Sequence, residues 1–328
     1  MSGSFPSVEE VRAGGKRLLA RVLSRIEANA ADAETAAFLD RISSSPKAHV
    51  LGLTGPPGVG KSSLTDALIK AFRGQGKTVA VLAVDPSSAL TGGALLGDRT
   101  RLKTDPADND IFVRSMAARD RLGGLSDHAV AAIAVLRAVF DHVIVETVGI
   151  GQSEGDLKQA VDTVVLCIQP GSGDSLQFMK AGIMELPDVV AVTKADMGVL
   201  ARRAASDVRG ALSLSRDAGS TWSVPVCEVS SETGAGVQDL VAHVNAHLAH
   251  LLEGDALTAK RRQQHAAWFE DMVRTGFGAM GRDVARQTAA EEGASASLPG
   301  ETWHRRAEDA PFASFASFSK AMRQRFGF

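Results

Sequence analysis

From residue 48 onward, short and continuously apolar runs alternate with longer segments whose apolar positions recur three and four apart. Val79-Ala80-Val81-Leu82-Ala83-Val84 and Val164-Val165-Leu166-Cys167-Ile168 contain no polar position at all. A strand with one wet face alternates polar and apolar residues, whereas a strand covered on both faces does not. These runs therefore predict a mostly parallel sheet. Strands are expected at 48–54, 78–84, 111–114, 142–147, 162–168, 188–193 and 224–229. Helices fit at 61–74, 127–140, 176–185, 197–217 and 235–252. The alternation predicts a doubly wound α/β domain whose ligands sit beyond the carboxyl ends of the strands.

The flanks read differently. Val8 to Ala28 and Ala33 to Ile42 have helical periodicity, and Ser43-Ser44-Ser45-Pro46 stops the second helix. Arg12, Arg17, Arg21 and Arg25 are the cations of a transit peptide, but Glu9, Glu10 and Glu27 are interleaved with them. Val11, Leu18, Val22 and Ile26 fall at helical spacing, so an amphipathic helix packed on the body is preferred. After Leu252, Lys260-Arg261-Arg262-Gln263-Gln264 leads into a helix with Trp268, Phe269, Met272 and Val273. Residues 289–300 are small and polar and read as a loop. Phe312, Phe315 and Phe318, followed by Met322 and Phe326, form a stripe that packs on its own domain or serves a dimer contact. The expected organisation is a helical extension (1–46), a nucleotide domain (47–254) and a helical, dimerising extension (255–328).

Composition narrows the class. Hydrophobic content of 45% and charged content of 23% are ordinary for a water-soluble globular chain. A net charge of −2 gives no electrostatic case for a nucleic-acid partner. No apolar stretch reaches the length of a membrane helix. The two cysteines, Cys167 and Cys227, lie in apolar runs without a C-x-x-C pair, so a reducing, cytoplasmic compartment is expected.

Between the first strand and the first long helix stands Gly55-Pro56-Pro57-Gly58-Val59-Gly60-Lys61-Ser62, followed by Ser63. Strand, glycine loop and helix in this order are the setting that G-x-x-x-x-G-K-[ST] requires. Glycines let amide N–H groups turn toward an anion, and the helix N-terminus adds its partial positive charge. Lys61 reaches the β- and γ-phosphates of a nucleoside triphosphate, and the Ser62 hydroxyl binds Mg²⁺.

Metal ligands should come from neighbouring strand ends. Asp85 closes the run Val79–Val84, and Asp98 lies in the loop after it, in Gly97-Asp98-Arg99. Asp85 also fits a helix cap and Asp98 a surface turn. Glu146 ends His142-Val143-Ile144-Val145, where a metal-holding acid belongs, and Thr147-Val148-Gly149 follows. The Gly149 N–H can bond the γ-phosphate, making the following residues a switch. Gln152 can orient the attacking water, although it stands three residues past Gly149. Lys61, Glu146 and Gln152 are thus the catalytic candidates.

Val189-Val190-Ala191-Val192 leads into Thr193-Lys194-Ala195-Asp196. A carboxylate at the fourth position accepts from guanine N1–H and N2–H₂, a donor pair that adenine lacks. Against ATP it would be left unpaired, which gives discrimination. The Lys194 stem lies along the base, and Ser230-Ser231-Glu232 supplies a second base-side loop. GTP and GDP are therefore the expected ligands, with Mg²⁺.

Together with Asp85-Pro86-Ser87-Ser88, Glu146 to Glu154 and Gly171-Ser172-Gly173-Asp174, these motifs resemble the MeaB/ArgK family of P-loop GTPases from about residue 8 to the C-terminus. The resemblance implies a homodimeric G protein that gates adenosylcobalamin delivery to methylmalonyl-CoA mutase and protects that enzyme from inactivation. It implies GTP hydrolysis that is slow alone and faster with the mutase. Lys61, Ser62, Asp85, Asp98 and Glu146 match the family's phosphate and metal positions. Pro170 to Lys180 matches an additional switch facing the mutase, with Phe178-Met179 where many relatives have glycine and isoleucine. Thr193 stands where relatives commonly have asparagine. Two other classes share these features: a small-molecule kinase, against which Asp196 argues, and a metallochaperone GTPase, for which the eight histidines are too scattered.

Overall fold

The computed structural model describes residues 4–29, 32–85, 102, 104–105, 107–117, 125–147, 154–171, 185–214, 221–291 and 303–326. They fall into two compact units. One comprises Lys47–Ala129 and Phe140–Asp255, the other Met1–Pro46, Val130–Val139 and Ala256–Phe328.

The first unit is a seven-stranded sheet in the order β3-β2-β4-β1-β5-β6-β7. Its strands are β1 His49–Thr54, β2 Val79–Asp85, β3 Ile111–Ala117, β4 His142–Thr147, β5 Thr163–Ile168, β6 Val189–Val192 and β7 Val226–Glu228. Every pairing is parallel. The expectation of a mostly parallel sheet is met in full.

Both faces are covered, as the apolar runs require. On one face, Leu64, Leu68 and Phe72 of α4 (Lys61–Gly74) and Leu240 and Val244 of α8 (Val237–Leu252) pack on Leu51, Val81, Val165, Val189 and Ala191. On the other, Val190 and Val192 meet Val208, Ala201 and Ala205 of α7 (Val199–Leu214). Adjacent residues of β6 thus serve opposite faces, the period-2 geometry of a strand. At the amino ends of the strands, the buried Thr163 hydroxyl bonds His49 Nε2 and His247 Nδ1, each at 2.7 Å. β1 runs on to β2 toward one edge of the sheet and its neighbour β5 runs on to β6 toward the other, so the connections diverge between them and open a crevice at their carboxyl ends.

In the second unit, the expected helix from Val8 to Ala28 is two helices, α1 Val8–Ala13 and α2 Gly15–Ala28. The cause is local: Gly14 caps α1 and Gly15 takes φ 65°, outside the helical range. α1 starts with a reciprocal cap between Ser7 and Glu10. α3 (Ala33–Ser43) buries Phe38, Leu39 and Ile42. The C-terminal segments are α9 (Ala256–Glu291), α10 (Trp303–Ala307) and α11 (Pro311–Phe326). α9 bends at Gly278, whose φ of 62° is not helical, and it runs into the stretch from 289 that polarity marked as loop. Phe312, Phe318 and Met322 of the aromatic stripe are buried in their own unit, with Phe318 against Phe269 and Trp303.

α5 (Asp127–Val139) and α6 (Glu154–Lys158) complete the described helices. No helix among the described residues is long and apolar enough to cross a membrane. The helix expected at 176–185 lies almost entirely outside the described residues.

Candidate nucleotide-binding site

Gly55 follows β1 with φ 139°, and Gly58 and Gly60 come next with φ 75° and 100°. Gly55 is required twice over: a Cβ there would come within 2.2 Å of the Cys167 carbonyl oxygen on β5. Gly60 is the N-cap of α4 and brings no capping side chain. No N-cap side chain therefore competes with an anion for the first turn of that helix. Lys61 is buried, and its Nζ donates to the carbonyl oxygens of Gly55 (2.7 Å) and Pro56 (3.1 Å), which holds the ammonium inside the loop. Pro56, Pro57, Val59 and Ser63 complete the loop and the first turn, with Val59 wholly buried.

Glu146 is buried near the carboxyl end of β4, opposite Leu53 of β1 and Ala83 of β2. Ser62 Oγ donates to its Oε1 at 2.7 Å and Thr65 Oγ1 donates to its Oε2 at 3.0 Å. A hydroxyl and a carboxylate, both hard oxygen donors, thus meet at the start of α4, and such a donor set fits Mg²⁺. Asp85 ends β2, two positions beyond the residue paired with Glu146. The Asp85 side chain, and all of Asp98, Gly149 and Gln152, lie outside the described residues. Among the described residues no group of three or more His, Cys, Asp and Glu side chains gathers as a metal-binding cluster.

The base-side motif is tied to the phosphate loop. Thr193 Oγ1 donates to the carbonyl oxygens of Val59 (2.7 Å) and Ile168 (3.1 Å), so threonine makes the cross-link here. Lys194 is held in the left-handed region at φ 55°. Its Nζ donates to the Gly58 carbonyl (3.2 Å) and to Gln169 Oε1 (2.6 Å). Asp196 is exposed and accepts from Ser230 Oγ at 2.7 Å. That bond, more than any other influence, lowers its pKa and favours the ionised carboxylate. Ser231 and Glu232 lie in the turn that the Gly234 N–H to Ser230 carbonyl bond closes.

The structure therefore brings together Lys61, Ser62 and Glu146 at one end and Thr193, Lys194, Asp196 and Ser230 at the other. Thr65 and Gln169 were missed. Thr65 stands three positions after Ser62 on the same helix face, a spacing that could have singled it out. Gln169 carries no sequence signal. Cys167 and Cys227 are free and buried, and burial pushes each thiol up to about 12, which leaves them inert packing groups.

Residues 19–281 match the family described as methylmalonyl-CoA mutase-associated GTPase MeaB. The chain belongs to this family. A Pyrococcus horikoshii protein named as a GTPase is 40% identical over 276 residues, spanning 82% of this chain and 84% of that one. The mouse protein named methylmalonic aciduria type A homolog, mitochondrial, is 36% identical over 231 residues, 70% of this chain and 56% of that one. Among solved structures, one titled LAO/AO transport system kinase superposes with a TM-score of 0.65 at 25% identity, over 96% of both chains. The chain is a P-loop GTPase of the MeaB family.

Proposed function

We propose that this GTPase regulates an adenosylcobalamin-dependent methylmalonyl-CoA mutase, gating loading of the cofactor and protecting the enzyme from inactivation. The match to a mutase-associated family over residues 19–281 carries this reading, and the relative named for methylmalonic aciduria supports it. In this reading Asp196 and Ser230 select guanine. The amides of Gly58 to Gly60 and of the following helix turn, with Lys61, hold the β- and γ-phosphates. Ser62 and Glu146 would hold Mg²⁺, with Asp85 and Asp98 as further ligands or partners of its water. The chemistry supplied by an ion held there would be neutralisation of charge developing at the β,γ-bridge. Gly149 reports the γ-phosphate to its loop and Gln152 orients the water. The mutase completes the site, so turnover alone is slow, about 10⁻² per second or less, the range of unassisted G proteins.

The homodimer belongs to the same reading. Its contact is assigned away from Phe312, Phe318 and Met322, which are buried within their own unit. The protein is assigned to a compartment with reducing conditions. GTP hydrolysis measured with and without purified methylmalonyl-CoA mutase tests the proposal: stimulation is expected, and an unchanged rate counts against it.

A further inference from the structure

Glutamate at the end of β4 has one more rotatable bond than the aspartate usual there, so its carboxylate needs an additional restraint to point one way. The structure contains one. Ser62 and Thr65 stand one turn apart on α4 and donate to different oxygens of the same carboxylate, at 2.7 and 3.0 Å. Thr65 has no exposed surface. A buried helical threonine usually returns its proton to a carbonyl one turn back along its own helix. Here the proton goes across to Glu146 instead.

We infer that Thr65 is a positioning residue for the metal-holding acid: its hydroxyl fixes Oε2 and thereby aims Oε1 at the Ser62 hydroxyl. Ser62 has a single proton. With that proton directed to Oε1, its lone pairs are left for a cation, so the orientation of Glu146 decides how well Ser62 serves as a ligand. The role inferred for Thr65 runs through the Glu146 carboxylate, the partner of its hydroxyl. The inference rests on the proposed role of Glu146 toward Mg²⁺.

The experiment titrates Mg²⁺ against a fluorescent GDP analogue bound to the full chain, following GDP release, and repeats the affinity measurement in excess EDTA. Thr65→Val should raise the Mg²⁺ midpoint about tenfold, the usual scale for losing a partner of a metal ligand, with affinity in EDTA unchanged. Thr65→Ser should return the wild-type midpoint. Thr65→Ala replaces the valine variant if thermal unfolding finds the latter misfolded. A wild-type midpoint in Thr65→Val, beside a shifted one in Glu146→Gln, overturns the role of Thr65 alone. An unshifted midpoint in Glu146→Gln overturns the metal role of Glu146, and the inference with it. An equal loss of affinity in Mg²⁺ and in EDTA marks Thr65 as merely structural and also overturns the inference.

Discussion

Asp196 lies in solvent, and the Ser230 hydroxyl holds its carboxyl below the usual range; in the proposed function this carboxylate accepts from guanine. Asp196→Asn replaces one acceptor oxygen with a donor facing the guanine donors. The ratio of GDP to ADP affinity, measured by calorimetry, should fall roughly tenfold or more, because a mismatched donor pair both loses a bond and leaves groups unpaired. An unchanged ratio would remove Asp196 from the base site. Most residues of this site were legible because the motif names them at fixed offsets from a strand end. Thr65 was not, because a threonine inside a helix has several ordinary uses and only the fold reveals which partner takes its proton.

At the scale of elements, α11 starts with a cap from another helix. The Asp40 carboxylate on α3 accepts the N–H groups of Phe312 (3.1 Å) and Ala313 (2.7 Å), two of the first-turn amides that a helix leaves unpaired. Asp40→Ala should destabilise the protein by about 1–3 kcal/mol, the cost of leaving partly buried donors unmet, and Asp40→Asn by less because one acceptor remains. Urea unfolding of the two variants checks the order. Desolvation raises the Asp40 pKa to about 6, and the two amide bonds oppose that rise. The native state therefore holds this proton more tightly than the unfolded chain does, and the stability Asp40 contributes declines as pH rises from about 4 to 6. The sequence announced both helices but not their link, since an aspartate at the end of one amphipathic helix gives no hint of a proline-led helix 272 positions away.

For the whole molecule, acid acts with opposite signs on different groups. Burial lowers His142 to about 4, and burial likewise lowers His265 to about 4. Both imidazoles are neutral in the native state but protonate near pH 6.5 when unfolded, so their contribution to stability is lost as pH falls from about 6.5 to 4. Two histidines outweigh the single opposing Asp40, and Tm should drop across that window. His142 Nδ1 has no hydrogen-bond partner, and its ring stacks on Phe72 at 3.9 Å. His142→Phe should keep the stack and reduce the drop. An equally steep Tm profile in wild type and variant, followed by circular dichroism from pH 7 to 4, would contradict this assignment.

The local pattern determined what lies close in sequence. Short continuous apolar runs bounded by turn residues suit strands covered on both faces, and the full G-x-x-x-x-G-K-S pattern between strand and helix suits a loop that turns its amides toward an anion. The seven strands, the phosphate loop and the guanine motif follow from that. Tertiary structure decided what distance in sequence conceals. It set the sheet order, joined the terminal segments and residues 130–139 in one unit, and cross-linked Thr193 to Val59 across 134 positions and Thr65 to Glu146 across 81. A hydroxyl proton has many acceptors within reach in an unfolded chain, and only a packed interior narrows them to the one or two it keeps.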